Sequence, residues 1–338
     1  MTCNLSYFGP TFWGHLLQNG YNSTSHAGRV FMAVFIPVNS VLGLAGNLTA
    51  FAVLILTPSL RKCGYSAILL VLACSDSVAL ISRLVIWGNL VVAMAGRGLG
   101  VSLDTTAKCL VTEQIGATSF IDAALIVLIT LERFVVMCVP KLKSYCTFEN
   151  VLKAALFALV ICVTICVAIT SSIIHVPECE FGCVEPRFRS KIKLTIASII
   201  IGPLPVALIC LFNGQTLHKL VSPRVPKHHR RGKGIHNKTT RATIMLLVTS
   251  FSYATITTPY CVVLFIKYFS ANKSLIRNMN NYLFLIRCLV DLNYSVNFFL
   301  YYVSGQEFRA GASRLIGRPV ETRPDETTPS TTDTLSLS

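Results

Sequence analysis

The chain has 338 residues, of which 53% are hydrophobic and only 13% charged, with a mean hydropathy of +0.61; it is too apolar for an ordinary soluble domain and reads as a membrane protein. Thirty basic against fifteen acidic residues give a net charge of +15. That surplus would point to nucleic acid in a soluble chain, but in a membrane chain it belongs to the loops, and no nucleic-acid partner is expected.

The opening segment, 1–30, is polar and carries the sequons Asn4-Leu5-Ser6 and Asn22-Ser23-Thr24, which make Asn4 and Asn22 glycosylation candidates if this end lies outside the cell. No basic stretch followed by an apolar one opens the chain, so no cleavable signal is expected and the first long apolar segment directs insertion. A spanning helix needs about 20 mostly apolar residues. Seven segments qualify: Phe31–Thr57, Tyr65–Ala95, Leu110–Cys138, Val151–His175, Ile192–Leu217, Thr243–Phe269 and Tyr282–Val303. The expected fold is therefore all-α, a seven-transmembrane helix bundle over 31–304 with its termini on opposite sides.

Basic residues favour the loops that face inward when the N-terminus is outside. Arg187, Arg189, Lys191 and Lys193 run against that bias, while the clearest block, Lys219–Arg241, holds eight Lys and Arg, three His and no acid. It suits either an anionic membrane leaflet or a partner surface, and the two are compatible. After Gly305, QEFRAGASRLIG predicts a short amphipathic helix along the inner surface, with Gly311 as its weak point. The rest of the cytoplasmic tail, 305–338, ends in a Ser/Thr-rich stretch expected to be disordered and open to kinases.

Thirteen cysteines do not make a disulfide scaffold. Cys74, Cys162, Cys166, Cys210, Cys261 and Cys288 fall in apolar segments, where cysteine serves as a small core residue. Cys109, Cys179, Cys183 and Cys3 stand where an oxidising exterior could pair them.

Charges inside spans carry more information, because each costs roughly 2.5–3.5 kcal/mol at mid-bilayer on insertion scales. Asp76 lies deep in the second span and Asp122 deep in the third. With Asn293 and Asn297 of the seventh they could form one polar cavity, holding a hard cation such as sodium, a shared proton, or simply a neutral hydrogen-bonded pair. Arg83 follows Asp76 by two helical turns, and Trp87 by one more. Nearer the same outer end are Glu113, Gln114, Tyr260, Arg287 and Asp291. Arg287 and Asp291, at i and i+4, either satisfy each other or join the others in a pocket of mixed charge suited to a zwitterionic or peptidic ligand. Glu132 and Arg133 close the inner end of the third span before Pro140 stops it.

Together these features resemble the rhodopsin-like (class A) family of G-protein-coupled receptors. Gly46-Asn47, Leu72-Ala73-Cys74-Ser75-Asp76, Leu131-Glu132-Arg133-Phe134, Asn293 through Tyr301, and Phe308-Arg309 are similar to its signatures along almost the whole chain. Pro205 followed by Asn213, VPKLKSYCT after the third span, and the ending LYYVSGQEFR look most like invertebrate neuropeptide receptors of the FMRFamide-receptor type. The resemblance implies a plasma-membrane receptor that binds an extracellular peptide and activates a heterotrimeric G protein through Glu132, Arg133, Phe134, Asn297 and Tyr301, with arrestin and kinases meeting the tail. It also implies a sodium site at Asp76, Asp122, Asn293 and Asn297, and a bond from Cys109 to Cys179 or Cys183, although the last two could pair with each other.

Several positions depart from the family pattern. Residue 298 is Phe where a Pro is usual, the sixth span lacks the Trp that commonly precedes its Pro, the fourth span contains no Trp, and Cys109 lies one residue closer to Arg133 than the pattern sets. Asp122 replaces a small polar residue. The seventh span has no lysine, so retinal is not expected, and Ile115 stands where an amine receptor would place its aspartate. A peptide or a small polar chemical, the latter a chemosensory role, remains. Against a seven-span transporter stand the lack of an internal repeat and of paired broken helices. No HExxH, Gly-rich nucleotide loop or nucleophile elbow suggests an enzyme.

Overall fold

The computed structural model describes residues 8–10, 26–94, 105–170, 174–175, 183–186, 203–222, 233–269, 273–315 and 317. Seven long helices account for most of them: α1 (His26–Leu56), α3 (Gly64–Met94), α4 (Thr105–Cys138), α5 (Phe148–Thr170), α6 (Pro203–Val221), α7 (Lys233–Phe269) and α8 (Lys273–Ser304). A single turn, α2 (Pro58–Arg61), joins α1 to α3, a 3₁₀ segment over Pro140–Tyr145 joins α4 to α5, and α9 (Gln306–Leu315) follows α8. The end carrying these joints and α9 is the inner end in the orientation expected from the charges. Each of the seven expected spans is represented.

Five of these helices are long and apolar enough to cross a membrane by composition: Ala33–Leu56, Gly64–Val85, Phe148–Ala168, Pro203–Val221 and Thr239–Val263. The remaining two, α4 and α8, have 34 and 32 residues and so exceed the length needed, but they are richer in polar and charged side chains. Their position explains how they tolerate these. Helix α4 touches α3, α5, α6 and α7, with Leu125, Ile126 and Ile129 almost fully buried. The most apolar helix, α5, instead turns Phe157, Val160 and Val167 outward, where only hydrocarbon would meet them.

Lipid is as apolar as leucine, so helices in a bilayer associate through close packing and polar ties. Both operate at the meeting of α1, α3 and α8. A Cβ on Gly43 would stand 2.5 Å from Leu80 Cδ1 and 2.7 Å from Ser295 Cβ, so only glycine lets the three backbones approach this far. Asn39 Nδ2 donates to the Asp291 carbonyl at 3.0 Å, Ser295 donates to Asn39 Oδ1 at 2.6 Å, and Asn47 Nδ2 donates to the Tyr294 carbonyl at 3.0 Å. Phe298 packs over Gly46 and against Phe308 of α9, with ring centroids 5.9 Å apart.

Three features go beyond the sequence expectation. Helix α7 begins at Lys233, taking in the last part of the basic block. Helix α9 forms despite Gly311, and that glycine has a packing reason: a Cβ there would meet Thr57 Oγ1 at 2.5 Å and Val53 Cγ1 at 2.9 Å. At the outer end a small antiparallel sheet, ordered β1–β3–β2, pairs β1 (Phe8–Pro10) and β2 (Ile174–His175) with β3 (Cys183–Pro186). Pro140 does end α4, at Cys138, and opens the 3₁₀ turn.

Candidate functional site

Polar groups are stacked at three depths along α4 and its neighbours. At the inner end Glu132 and Arg133, each about 5% exposed, form a bidentate ion pair: Arg133 Nε and Nη2 donate to the two Glu132 carboxylate oxygens. The arrangement is the strong form of such a contact, since a planar fork meets a planar carboxylate. The ring of Tyr65, at the start of α3, lies 4.8 Å from the Arg133 guanidinium carbon, adding a cation–π contact to a desolvated charge. Phe134 meets Phe212 of α6 at 5.5 Å, and Tyr301 is buried against Phe308 at 5.6 Å. Arg241 of α7 donates to Gln306 of α9. In the connections beside this cluster, burial raises the Cys63 thiol above its ordinary range, and burial followed by the Glu132 charge does the same for Cys146.

At mid-depth the two carboxylates are held separately. Asn297 Nδ2 donates to Asp76 Oδ2 at 2.7 Å, and Ser75 Oγ donates to Asp122 Oδ1 at 2.7 Å. Asn293 donates to Thr257 Oγ1 of α7 at 3.0 Å. Asp122 is 4% exposed and its Oδ2 has no hydrogen-bond partner among the described residues. Beside it lies a cavity of about 20 Å³ lined by Asp122, Ser119, Tyr253, Thr257, Asn293 and Tyr294, with Tyr260 and Val290 completing the wall. That is room for roughly one water-sized occupant. An unpartnered carboxylate oxygen, hydroxyls and an amide are hard donors, so the residues fit a small hard cation or a bound proton.

Toward the outer end Arg83 of α3 and Asp291 of α8 form an ion pair at 2.7 Å, both side chains under a tenth exposed. The side chain of Arg287, the i, i+4 neighbour of Asp291, lies outside the described residues, like that of Glu113. Ser82 donates to the Gln114 amide oxygen, linking α3 to α4. Trp87 Nε1 donates to the Ala33 carbonyl at 2.9 Å, so this ring fastens α3 to α1. Tyr260 is buried and belongs to the mid-depth cavity. The side chains of Cys109, Cys179 and Cys183 and the sequons at Asn4 and Asn22 fall outside the described residues.

Sequence reasoning did not single out Ser75, Tyr65, Thr257, Ser119 or Asn39. Ser75 had a signal, its place beside Asp76; Tyr253 and Thr257 share a face of α7 by their i, i+4 spacing. Nothing in the sequence marks Tyr65 as the cover of Arg133.

A family pattern described as 7 transmembrane receptor (rhodopsin family) matches residues 46–301, the stretch that contains all three polar levels. The chain belongs to that family. It is a multi-pass membrane receptor that signals through heterotrimeric G proteins in response to an extracellular ligand, and it is not an enzyme. Among curated proteins none matches the chain.

Proposed function

We propose that this receptor sits in the plasma membrane and answers a ligand that carries both a positive and a negative group, a neuropeptide in the first instance, by opening the Arg83–Asp291 pair. The pair is the observation that carries this reading. It is buried, it joins α3 to α8, and the same two helices hold Asp76 and Asn297 one level further in. A ligand can shift a two-state bundle only by binding one state better than the other, and separated charges on a ligand can take over both partners of an existing ion pair. Gln114 stands at the same level on α4, with Glu113 beside it in sequence. A neuropeptide with a basic and an acidic group meets this requirement, and a small zwitterionic chemical would use the same two charges.

Sodium, held by Asp122 and Asp76 with Asn297 and Asn293 nearby, would stabilise the resting state by offsetting one of the two carboxylate charges. At the inner end Glu132 holds Arg133 until the bundle opens, after which Arg133, Phe134, Asn297 and Tyr301 are available to the G protein and the basic block before α7 lies alongside. The outer bond from Cys109 to Cys179 or Cys183, glycans at Asn4 and Asn22, and arrestin and kinase contacts on the tail complete the reading. A library of peptides and metabolites, tested on cells expressing the chain with a promiscuous G protein, checks it. A hit with paired charges whose potency collapses in Arg83→Gln supports the proposal; a neutral apolar hit indifferent to Arg83→Gln refutes it.

A further inference from the structure

Glu132 and Arg133 are consecutive residues of α4, so their bidentate pair closes within one helix, and the ring that covers Arg133 comes from α3. Neither contact reaches α7. That helix, which runs inward to Lys233 and carries the end of the basic block, meets the corner where α8 gives way to α9 through two contacts of its own. Both lie on one face of α7, because Arg241 and Met245 are four residues apart. Arg241 donates to the side-chain oxygen of Gln306, the first residue of α9. One turn deeper Met245, 3% exposed, sets its thioether over Gly305, the single residue between α8 and α9. A Cβ on Gly305 would stand 2.5 Å from Met245 Sδ and 2.7 Å from the Tyr301 carbonyl oxygen. Glycine is needed here for space and not for a backbone torsion, since Gly317 alone among the described glycines has a positive φ.

We propose that this corner is the resting seat of α7, and that Arg241, Met245, Gly305 and Gln306 are positioning residues that set how far the receptor signals without ligand, independently of the Glu132–Arg133 pair. The corner is a firm support. Phe308 packs against Tyr301 at 5.6 Å and Phe298 at 5.9 Å, and Gly311 lies close enough to Thr57 and Val53 to hold α9 to α1. The seat on it is light. One exposed hydrogen bond exchanges readily for water, and a flexible thioether adapts to a displaced neighbour. Firm support with a light fastening makes an element with two positions. Helix α7 also touches α4, so its departure from the seat uncovers the end of α4 that carries Arg133 and frees the Arg241 guanidinium for an acidic partner surface. The two restraints share no side chain, so breaking one leaves the other intact.

Basal G-protein signalling of the full-length receptor, read at matched surface expression, tests the seat. Gln306→Ala keeps the basic block whole and removes only the acceptor, and it should raise basal output about threefold. Gly305→Ala pushes Met245 off the corner and should raise it at least as much; adding Met245→Ala makes room for the new methyl group, and output should fall back below that of Gly305→Ala alone. Combined with Glu132→Gln, Gln306→Ala should multiply the two effects. Spin labels on unnatural side chains at the exposed positions Ile244 and Leu315 give a readout that lost stability does not imitate. Gln306→Ala should lengthen the distance between α7 and α9, whereas Gln306→Glu, a charged acceptor, should reduce the long-distance fraction below that of the parent. Basal output and distances equal to the parent in both Gln306→Ala and Gly305→Ala would overturn the seat. Raised output in Gly305→Ala that Met245→Ala leaves in place would overturn it too, by tracing the effect to the corner alone, and a combined effect no greater than that of Glu132→Gln would end its independence.

Discussion

Replacing Asp291 by Asn removes one charge of a buried pair and leaves the other, an arginine about 6% exposed, in a membrane interior. Removing one partner of a buried ion pair costs roughly 3–5 kcal/mol, mostly the penalty of a charge without its counter-charge. The seam with α1 should survive, because Asn39 donates to the backbone carbonyl of residue 291 and not to its carboxylate. The loss therefore reports the side-chain contacts of Asp291, with the Arg83 ion pair first among them. In a chain of this size it corresponds to a fall of roughly 5–10 °C in apparent melting temperature, readable by a thiol-independent thermal shift on receptor in detergent. Arg83→Gln should cost a similar amount. The double variant Arg83→Gln with Asp291→Asn should melt well above the sum of the two losses, since a neutral amide pair replaces a stranded charge. A melting temperature for Asp291→Asn within about one degree of the parent, or strictly additive losses in the double variant, would refute the reasoning.

At the inner end, Glu132→Gln removes the acceptor of both Arg133 bonds and should raise basal G-protein signalling severalfold at equal surface expression, while Tyr65→Leu raises it less and Tyr65→Phe not at all, because Phe keeps the ring face; basal output in Glu132→Gln equal to the parent would remove the lock. In the middle, sodium chloride should weaken agonist binding to the parent by about tenfold and leave affinity for Asp122→Asn unchanged, measured by radioligand competition at matched ionic strength. Gly311→Val places methyl groups where Thr57 and Val53 already stand and should lift α9 from the bundle, costing roughly 1–3 kcal/mol as overpacking does; limited proteolysis after Arg309 or Arg314 reports the release.

The seven spans were legible because each is a long apolar run, and the mid-depth carboxylates because a charge inside such a run has no bland reason to be there. The partners of those charges were less legible. Spacing offered Asp291 the neighbour Arg287, whose side chain lies outside the described residues, while Arg83 reaches Asp291 from a helix some two hundred residues earlier, a contact only helix packing makes. Asn293, grouped with the carboxylates by sequence, lines the cavity beside Asp122 and donates there to Thr257 of α7. The start of α7 was hidden because Lys233–Thr240 is helix-compatible yet shows no apolar periodicity. Strands of two to four residues, as in the outer sheet, are too short to carry an alternating pattern. Gly311 was read as a weakness by propensity alone, when the neighbouring Thr57 and Val53 make it a requirement.

The amide of Asn47, described above as a tie between two helices, has a further consequence for residue 298. In an α-helix the N–H of residue 298 bonds to the carbonyl of 294, and a proline at 298 would remove that donor. Asn47 already donates to the same carbonyl. Phe298→Pro would thus leave no orphaned acceptor on α8, and its penalty would come from lost ring contacts with Phe308 and from strain against residue 294. Phenylalanine and proline at this position are in that sense neighbouring solutions in sequence space, separated by a packing step, with the polar half of the exchange prepaid on the opposite helix.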